Sequence, residues 1–152
     1  MAGETKLTIV GNLTADPELR YTQNGIAVAN FTVASTSRHF DKTLNEWVDD
    51  STTFMRCSVW REYAEHVAAS CTKGTRVIVA GSLVQRSYET NPDESGKVEK
   101  RRTFELQVDE LGVVLRYATA AVTRAISDRD ARNIPGAPVD ALASLSNGDE
   151  PF

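Results

Sequence analysis

Aromatic rings and cations interleave through the middle of this chain. Arg38, Phe40, Lys42 and Trp47 come first, then Phe54, Arg56 and Trp60, then Arg86 and Tyr88. Lys97, Lys100, Arg101 and Arg102 follow. Flat π faces beside cations suit one chemistry well: rings stack on unpaired bases while Lys and Arg neutralise phosphates. Each stack is worth ~1–3 kcal/mol and is nearly indifferent to base identity. The segment around Phe54 can be read residue by residue, because side chains an even number apart on a strand share a face. Phe54, Arg56, Ser58 and Trp60 fall on one face, and Met55, Cys57 and Val59 on the other. The second set supplies a core, so the first set is expected to face outward. The plainer reading of any single ring is that it packs under a loop or against a partner subunit.

Catalytic chemistry has no comparable support. No phosphate-cradling glycine loop, dinucleotide fingerprint, zincin motif or nucleophile elbow occurs in the chain. His39 and His66 are isolated, and Cys57 and Cys71 fall on expected core positions. Neither cysteine stands at metal-ligand spacing from another cysteine or a histidine. The expectation is a binding protein that is not an enzyme, with no catalytic residue, no metal and no cofactor.

The elements that must carry these residues are mostly strands. Leu7, Ile9 and Leu13 alternate around Gly11, which suggests a bulge or sharp bend. Segments 26–34, 53–60, 77–88 and 103–108 are rich in Val, Ile, Thr and aromatics. Turns are expected at Asn24-Gly25 and from Asn91 to Gly96. Gly81 and Ser82 fit a strand that curves sharply. Arg61 to Cys71 breaks the rhythm, with Tyr63, Ala64, Val67, Ala68 and Cys71 on one helical face and Gly74 as a stop. Five strands with one helix after the third are the pattern of an OB-fold, a five-stranded antiparallel Greek-key barrel. Val113 to Leu115 suggests an extra strand after the barrel. Ala118 to Ile126 is compatible with a short helix or a frayed linker.

The chain has 152 residues, enough for one domain and a tail. Its apolar runs are far shorter than the ~20 residues of a membrane span, and no secretory signal is visible. A cytoplasmic setting is expected. Seventeen Lys and Arg against twenty-one Asp and Glu give a net charge of −4, which taken alone argues against a polyanion ligand. The charge is segregated, however. Residues 128–152 hold five acids and two bases, so −3 of the total lies there. That stretch has three of the five prolines and few large apolar groups, so it is expected to be a disordered acidic tail.

In these residues and their order the chain resembles the bacterial homotetrameric single-stranded DNA-binding (SSB) family, actinobacterial type. The resemblance covers about residues 1–117. It is carried by Ile9-Val10-Gly11-Asn12-Leu13, Asp16-Pro17-Glu18-Leu19-Arg20-Tyr21, and Asn24-Gly25 with Val28 to Ala34. It continues through Phe54 to Trp60, Lys73-Gly74, Val79 to Leu83, Val108 to Gly112 and Leu115 to Thr119. It implies a dimer of dimers of OB-folds wrapped by single-stranded DNA, associated with the nucleoid. The family's stacking aromatics fall on Phe40, Phe54, Trp60 and Tyr88, with Trp47 further along. Its phosphate-contacting bases fall on or near Arg38, Lys42, Arg56, Lys73, Arg76 and Arg86. The resemblance divides the chain into a DNA-binding domain (1–117), a linker (118–147) and an acidic tip (148–152). That tip, ending Asp149-Glu150-Pro151-Phe152, would recruit replication, recombination and repair proteins.

Two features depart from the family pattern. Phe40 stands where many members have tryptophan. The stretch from Asp128 to Asn147 spans only ~25 Å root-mean-square as a flexible chain, and the tip has two acids. A short-tailed paralogue and a housekeeping protein both fit. Two other readings of the same rings are an OB-fold protein-interaction module and an RNA-binding chaperone.

Overall fold

The computed structural model describes residues 3–126; the expected tail and tip lie outside these residues. The strands are β1 (Thr5–Leu13), β2 (Glu18–Tyr21), β3 (Ala27–Asp41), β4 (Glu46–Trp60), β5 (Arg76–Glu89) and β6 (Lys100–Val113), with helix α1 (Glu62–Ser70) between β4 and β5. They form a sheet in the order β1-β5-β6-β4-β3-β2, and an extra β1–β3 pairing closes it into a barrel. The expected five strands are β1, β3, β4, β5 and β6, and the helix follows the third of them. All pairings are antiparallel except β4 with β6, which run parallel through Arg56↔Glu105, Cys57↔Leu106 and Ser58↔Gln107. The antiparallel expectation is corrected at that one seam, where chain order brings two strands together in the same direction.

The core follows strand alternation. Ala27, Ala29, Phe31 and Val33 on β3 are buried, as are Cys57 and Val59 on β4, Val77 and Val79 on β5, and Leu106 on β6. Helix α1 covers one end of this core with Ala64 and Val67, followed by buried Cys71. The Tyr63 hydroxyl accepts from the backbone N–H of Leu111 at 2.6 Å and lies 3.1 Å from its carbonyl. One phenol thus ties the helix to β6. Gly74 does not end the helix: Cys71 there is already extended. Gly74 instead has a positive φ of 87° in the 72–75 turn, as the third residue of a type II turn requires.

The sequence expectations differ from the structure in three further places. β2 was not among the expected strands; it pairs with β3 through the Asn24-Gly25 turn. β3 and β4 run past the expected segments 26–34 and 53–60 and beyond the barrel as a ribbon. Val113 is the end of β6, paired with Val77, and not part of a separate strand. The compact body ends at Val114, and residues 115–126 beyond it contain neither helix nor strand among the described residues.

Two glycines let backbones touch. A Cβ on Gly11 would run into the carbonyl of Ala34 at the β1–β3 seam, and one on Gly81 into the carbonyl of Gln107. Gly81 also sits where the β5–β6 register shifts. Replacing Gly11 with Ala is expected to destabilise the protein by about 3 kcal/mol or more, as overpacking against rigid backbone does. Gly25→Ala meets no atom within 4 Å and should cost only the ~1–2 kcal/mol of a positive φ. Paired urea melts would check the order.

Candidate nucleic-acid interface

Cross-strand register and one β-bulge decide which side chains share the outer face. Cross-strand partners point the same way. Ala34 opposes Phe54, Thr32 opposes Arg56 and Val28 opposes Trp60. Because the even-numbered β3 residues oppose the buried set, this is the outer face. Between Ser37↔Ser51 and Arg38↔Asp49, β4 carries one extra residue, Asp50. That residue reverses the parity of β4, so Trp47, odd-numbered like core Val59, comes to the outer face opposite Phe40. Their rings meet edge to face, with centroids 5.8 Å apart and planes at 68°. Such a pair is worth ~0.5–1.5 kcal/mol beyond its buried area. Across β6, Arg86 opposes Thr103 and Tyr88 opposes Arg101, and Arg56 opposes Glu105. The second bulge, at Asp109 on β6, lies below these pairs and leaves them in register.

Phe40, Trp47, Phe54, Trp60 and Tyr88 therefore stand on one face of the contiguous strands β3, β4, β6 and β5, each between 43% and 66% exposed. Arg38, Arg56 and Arg86 stand among them. Lys42 lies in the turn at the tip of the β3–β4 ribbon, which Asp41 holds by accepting from the Thr43 and Leu44 N–H groups at 2.8 and 3.2 Å. Arg76 is not gathered with this group, and Lys73 reaches it only through Asp16, which lines a groove with Arg56. Arg76 begins β5, ten residues before Arg86, roughly 33 Å of strand at 3.3 Å per residue. Its Nη1 lies 3.4 Å from Asn12 Oδ1. The Lys73 backbone N–H donates to Asp16 at 2.7 Å. Asp149, Glu150, Pro151 and Phe152 lie outside the described residues.

Ser58 corrects the expected outward set. It is only 2% exposed, because its short side chain lies between the longer register partners Asn30 and Gln107. Its Oγ has no hydrogen-bond partner among the described residues. Arg61, just after Trp60, has a positive φ of 65° and turns the chain into α1 without a side-chain cap. No local sequence signal marks this position, since Ser, Thr, Asp or Asn is the usual cap.

Two of the three arginines on this face are paired. Arg38 Nε lies 2.8 Å from Asp49, and Arg86 Nε lies 3.3 Å from Glu105. His39 Nδ1 contacts the bulged Asp50. Glu105, which sequence reasoning did not single out, lines a groove of about 200 Å³ with Asp16, Glu18, Asn30 and Arg56. Burial, with the Glu105 charge second, pushes the Cys57 thiol up to about 12. Burial raises Cys71 as well. Both thiols stay protonated at neutral pH and are poor nucleophiles. Among the described residues no His, Cys, Asp and Glu cluster could hold a metal ion, and no helix is long and apolar enough to cross a membrane.

Comparison with known proteins agrees with this geometry. The profile of the Single-strand binding protein family matches residues 4–114. A single-stranded DNA-binding protein of Mycobacterium tuberculosis is 53% identical over 152 residues, covering 100% of this chain and 89% of that protein. One of Paenarthrobacter aurescens is 62% identical over 124 residues, covering 82% of this chain and 70% of that protein. The crystal structure of a small single-stranded DNA-binding protein from Streptomyces coelicolor superposes with a TM-score of 0.60 at 27% identity, covering 74% of this chain and 95% of that one. A closed OB barrel, a face of exposed rings beside arginines and a family match across the whole compact body lead to one assignment: the chain belongs to the single-strand binding protein family.

Proposed function

We propose that this protein binds single-stranded DNA without sequence preference and protects it during replication, recombination and repair. The observation that carries the reading is the single outer face on which Phe40, Trp47, Phe54, Trp60 and Tyr88 stand exposed beside Arg38, Arg56 and Arg86. Each ring can stack on one unpaired base, and the arginines, with Lys42, can meet the phosphates between them. Lys73 and Arg76 would contact phosphates further along a wrapped strand. Stacking and phosphate contacts make and break no covalent bond, so the protein acts by binding alone.

Titration with oligo-dT should quench Trp emission and show tighter binding than to duplex of equal length, with affinity falling as salt rises. Equal affinity for the two would overturn the reading. A matched RNA strand that outcompeted DNA would favour an RNA chaperone. No binding to either would leave a protein-interaction module. Trp60→Ala should weaken oligo-dT binding about tenfold, within the ~1–3 kcal/mol of one stack; no change would remove Trp60 from the site.

The same reading extends to assembly and partners. The chain is proposed to form a homotetramer, a dimer of dimers, in the cytoplasm on the nucleoid, which sedimentation at a mass four times that of the chain would support. The tip Asp149-Glu150-Pro151-Phe152 would place an aromatic in an apolar pocket and its carboxylates against basic groups of a replication, recombination or repair protein. Residues 1–117 would be the DNA-binding domain, with 118–147 a linker and 148–152 the tip. Deleting the last four residues should leave oligo-dT affinity within about twofold, since stacking and phosphate contacts are untouched, and should abolish capture of such proteins. Unchanged capture would refute the assignment of the tip.

A further inference from the structure

Glu105 is an acid in the middle of a face that should attract phosphates. It stands on β6 between the two strands that bear Arg56 and Arg86: its register partners are Arg56 on β4 and Val84 on β5. Its Oε2 lies 3.3 Å from Arg86 Nε. The Glu105 side chain is 21% exposed and that of Arg86 55%, so the acid is the sheltered member and the base the accessible one. Arg56 lines the same groove, and the further acids there, Asp16 and Glu18, point to no shortage of negative charge.

We propose that Glu105 is a resident anion of the nucleic-acid face, holding the place between Arg56 and Arg86 that a backbone phosphate takes when a strand binds. The proposal rests on the single-strand reading above. Carboxylate and phosphate present similar pairs of oxygens to a guanidinium, so a phosphate approaching Arg86 must displace the carboxylate or share the arginine with it. At that position binding releases a protein carboxylate rather than a counterion, and the position adds little to the salt dependence. Stacking is untouched by this competition. A single strand, which offers bare base faces, compensates through its stacks. A duplex offers phosphates alone and meets the carboxylate with nothing to offset it. Glu105 thereby determines specificity by discouraging ligands that bring charge without unpaired bases.

The test compares the full-length protein with Glu105→Gln, using oligo-dT and duplex of equal length across a salt series. Glu105→Gln should bind duplex about fivefold tighter, the scale of one partly exposed ion pair, and oligo-dT by less. The slope of log K against log salt should steepen by ~0.7 for the single strand. Glu105→Asp, which keeps the charge, should retain the original slope, whereas a purely structural role would move both variants alike. Arg86→Gln removes the partner and leaves the acid in place, so it should raise the preference for oligo-dT over duplex; this arm does not depend on Glu105→Gln folding well. An unchanged slope and an unchanged preference in these variants would overturn the proposal while leaving oligo-dT binding by the parent protein intact. Failure of the parent itself to prefer oligo-dT would overturn the function reading instead.

Discussion

The structure depends on backbone meeting backbone without a side chain between. At Gly11 the first strand, still paired with Val77 of β5, also leans on β3, where the Ala34 carbonyl occupies the space a Cβ would need. That contact turns an open sheet into a barrel. Once the barrel is closed, the apolar residues of all five long strands converge on one core, and the outer faces of β3, β4, β6 and β5 form one uninterrupted surface. The rings on that surface owe their common orientation to the register across these strands, because no two of Phe54, Tyr88 and Phe40 lie on the same strand. Gly81 performs a related task at the β5–β6 bulge.

How much of this was legible in the sequence follows from where burial imposes a pattern. Ala27 to Val33 and Val77 to Val79 alternate because one side of each strand faces the core, and these strands were readable. The helix was readable for the same reason: Tyr63, Ala64, Val67, Ala68 and Cys71 are its sheltered face. The outer halves of β3 and β4 were not, since beyond the barrel there is no core and polar residues such as Thr36, Ser51 and Thr52 pair as well as valines do. β2 is four residues long with only Leu19 half-buried, too little for a pattern. Val113 looked detached because the bulge at Asp109 interrupts the alternation of β6. The exposed aromatics were read from residue types, but the orientation of Trp47 needed the bulge, and the place of Glu105 needed a parallel seam between strands far apart in sequence.

Electrostatics on the candidate face are restrained rather than strongly positive. Arg38 and Arg86 each face an acid, so the rings are set among near-neutral pairs. Most of the net −4 belongs to residues 128–152, which removes the conflict between an acidic chain and an anionic ligand. It does not make the barrel basic. Such a surface favours contacts of short range and defined geometry over diffuse attraction, whose reach is about 10 Å at moderate salt.

The extra residue at Asp50 has an evolutionary corollary. It works as a parity switch: with it, Trp47 joins Phe40 on the outer face, and without it the same tryptophan would turn to the opposite side of the ribbon. Gene lineages that shorten or lengthen this ribbon by an odd number of residues on one strand alone would exchange its inner and outer side chains at a stroke. Changes made in even steps, or matched on both strands, would preserve the surface. The indel record of this hairpin across descendants should therefore be quantised, with even or paired events tolerated and single-residue events accompanied by relocation of the aromatic.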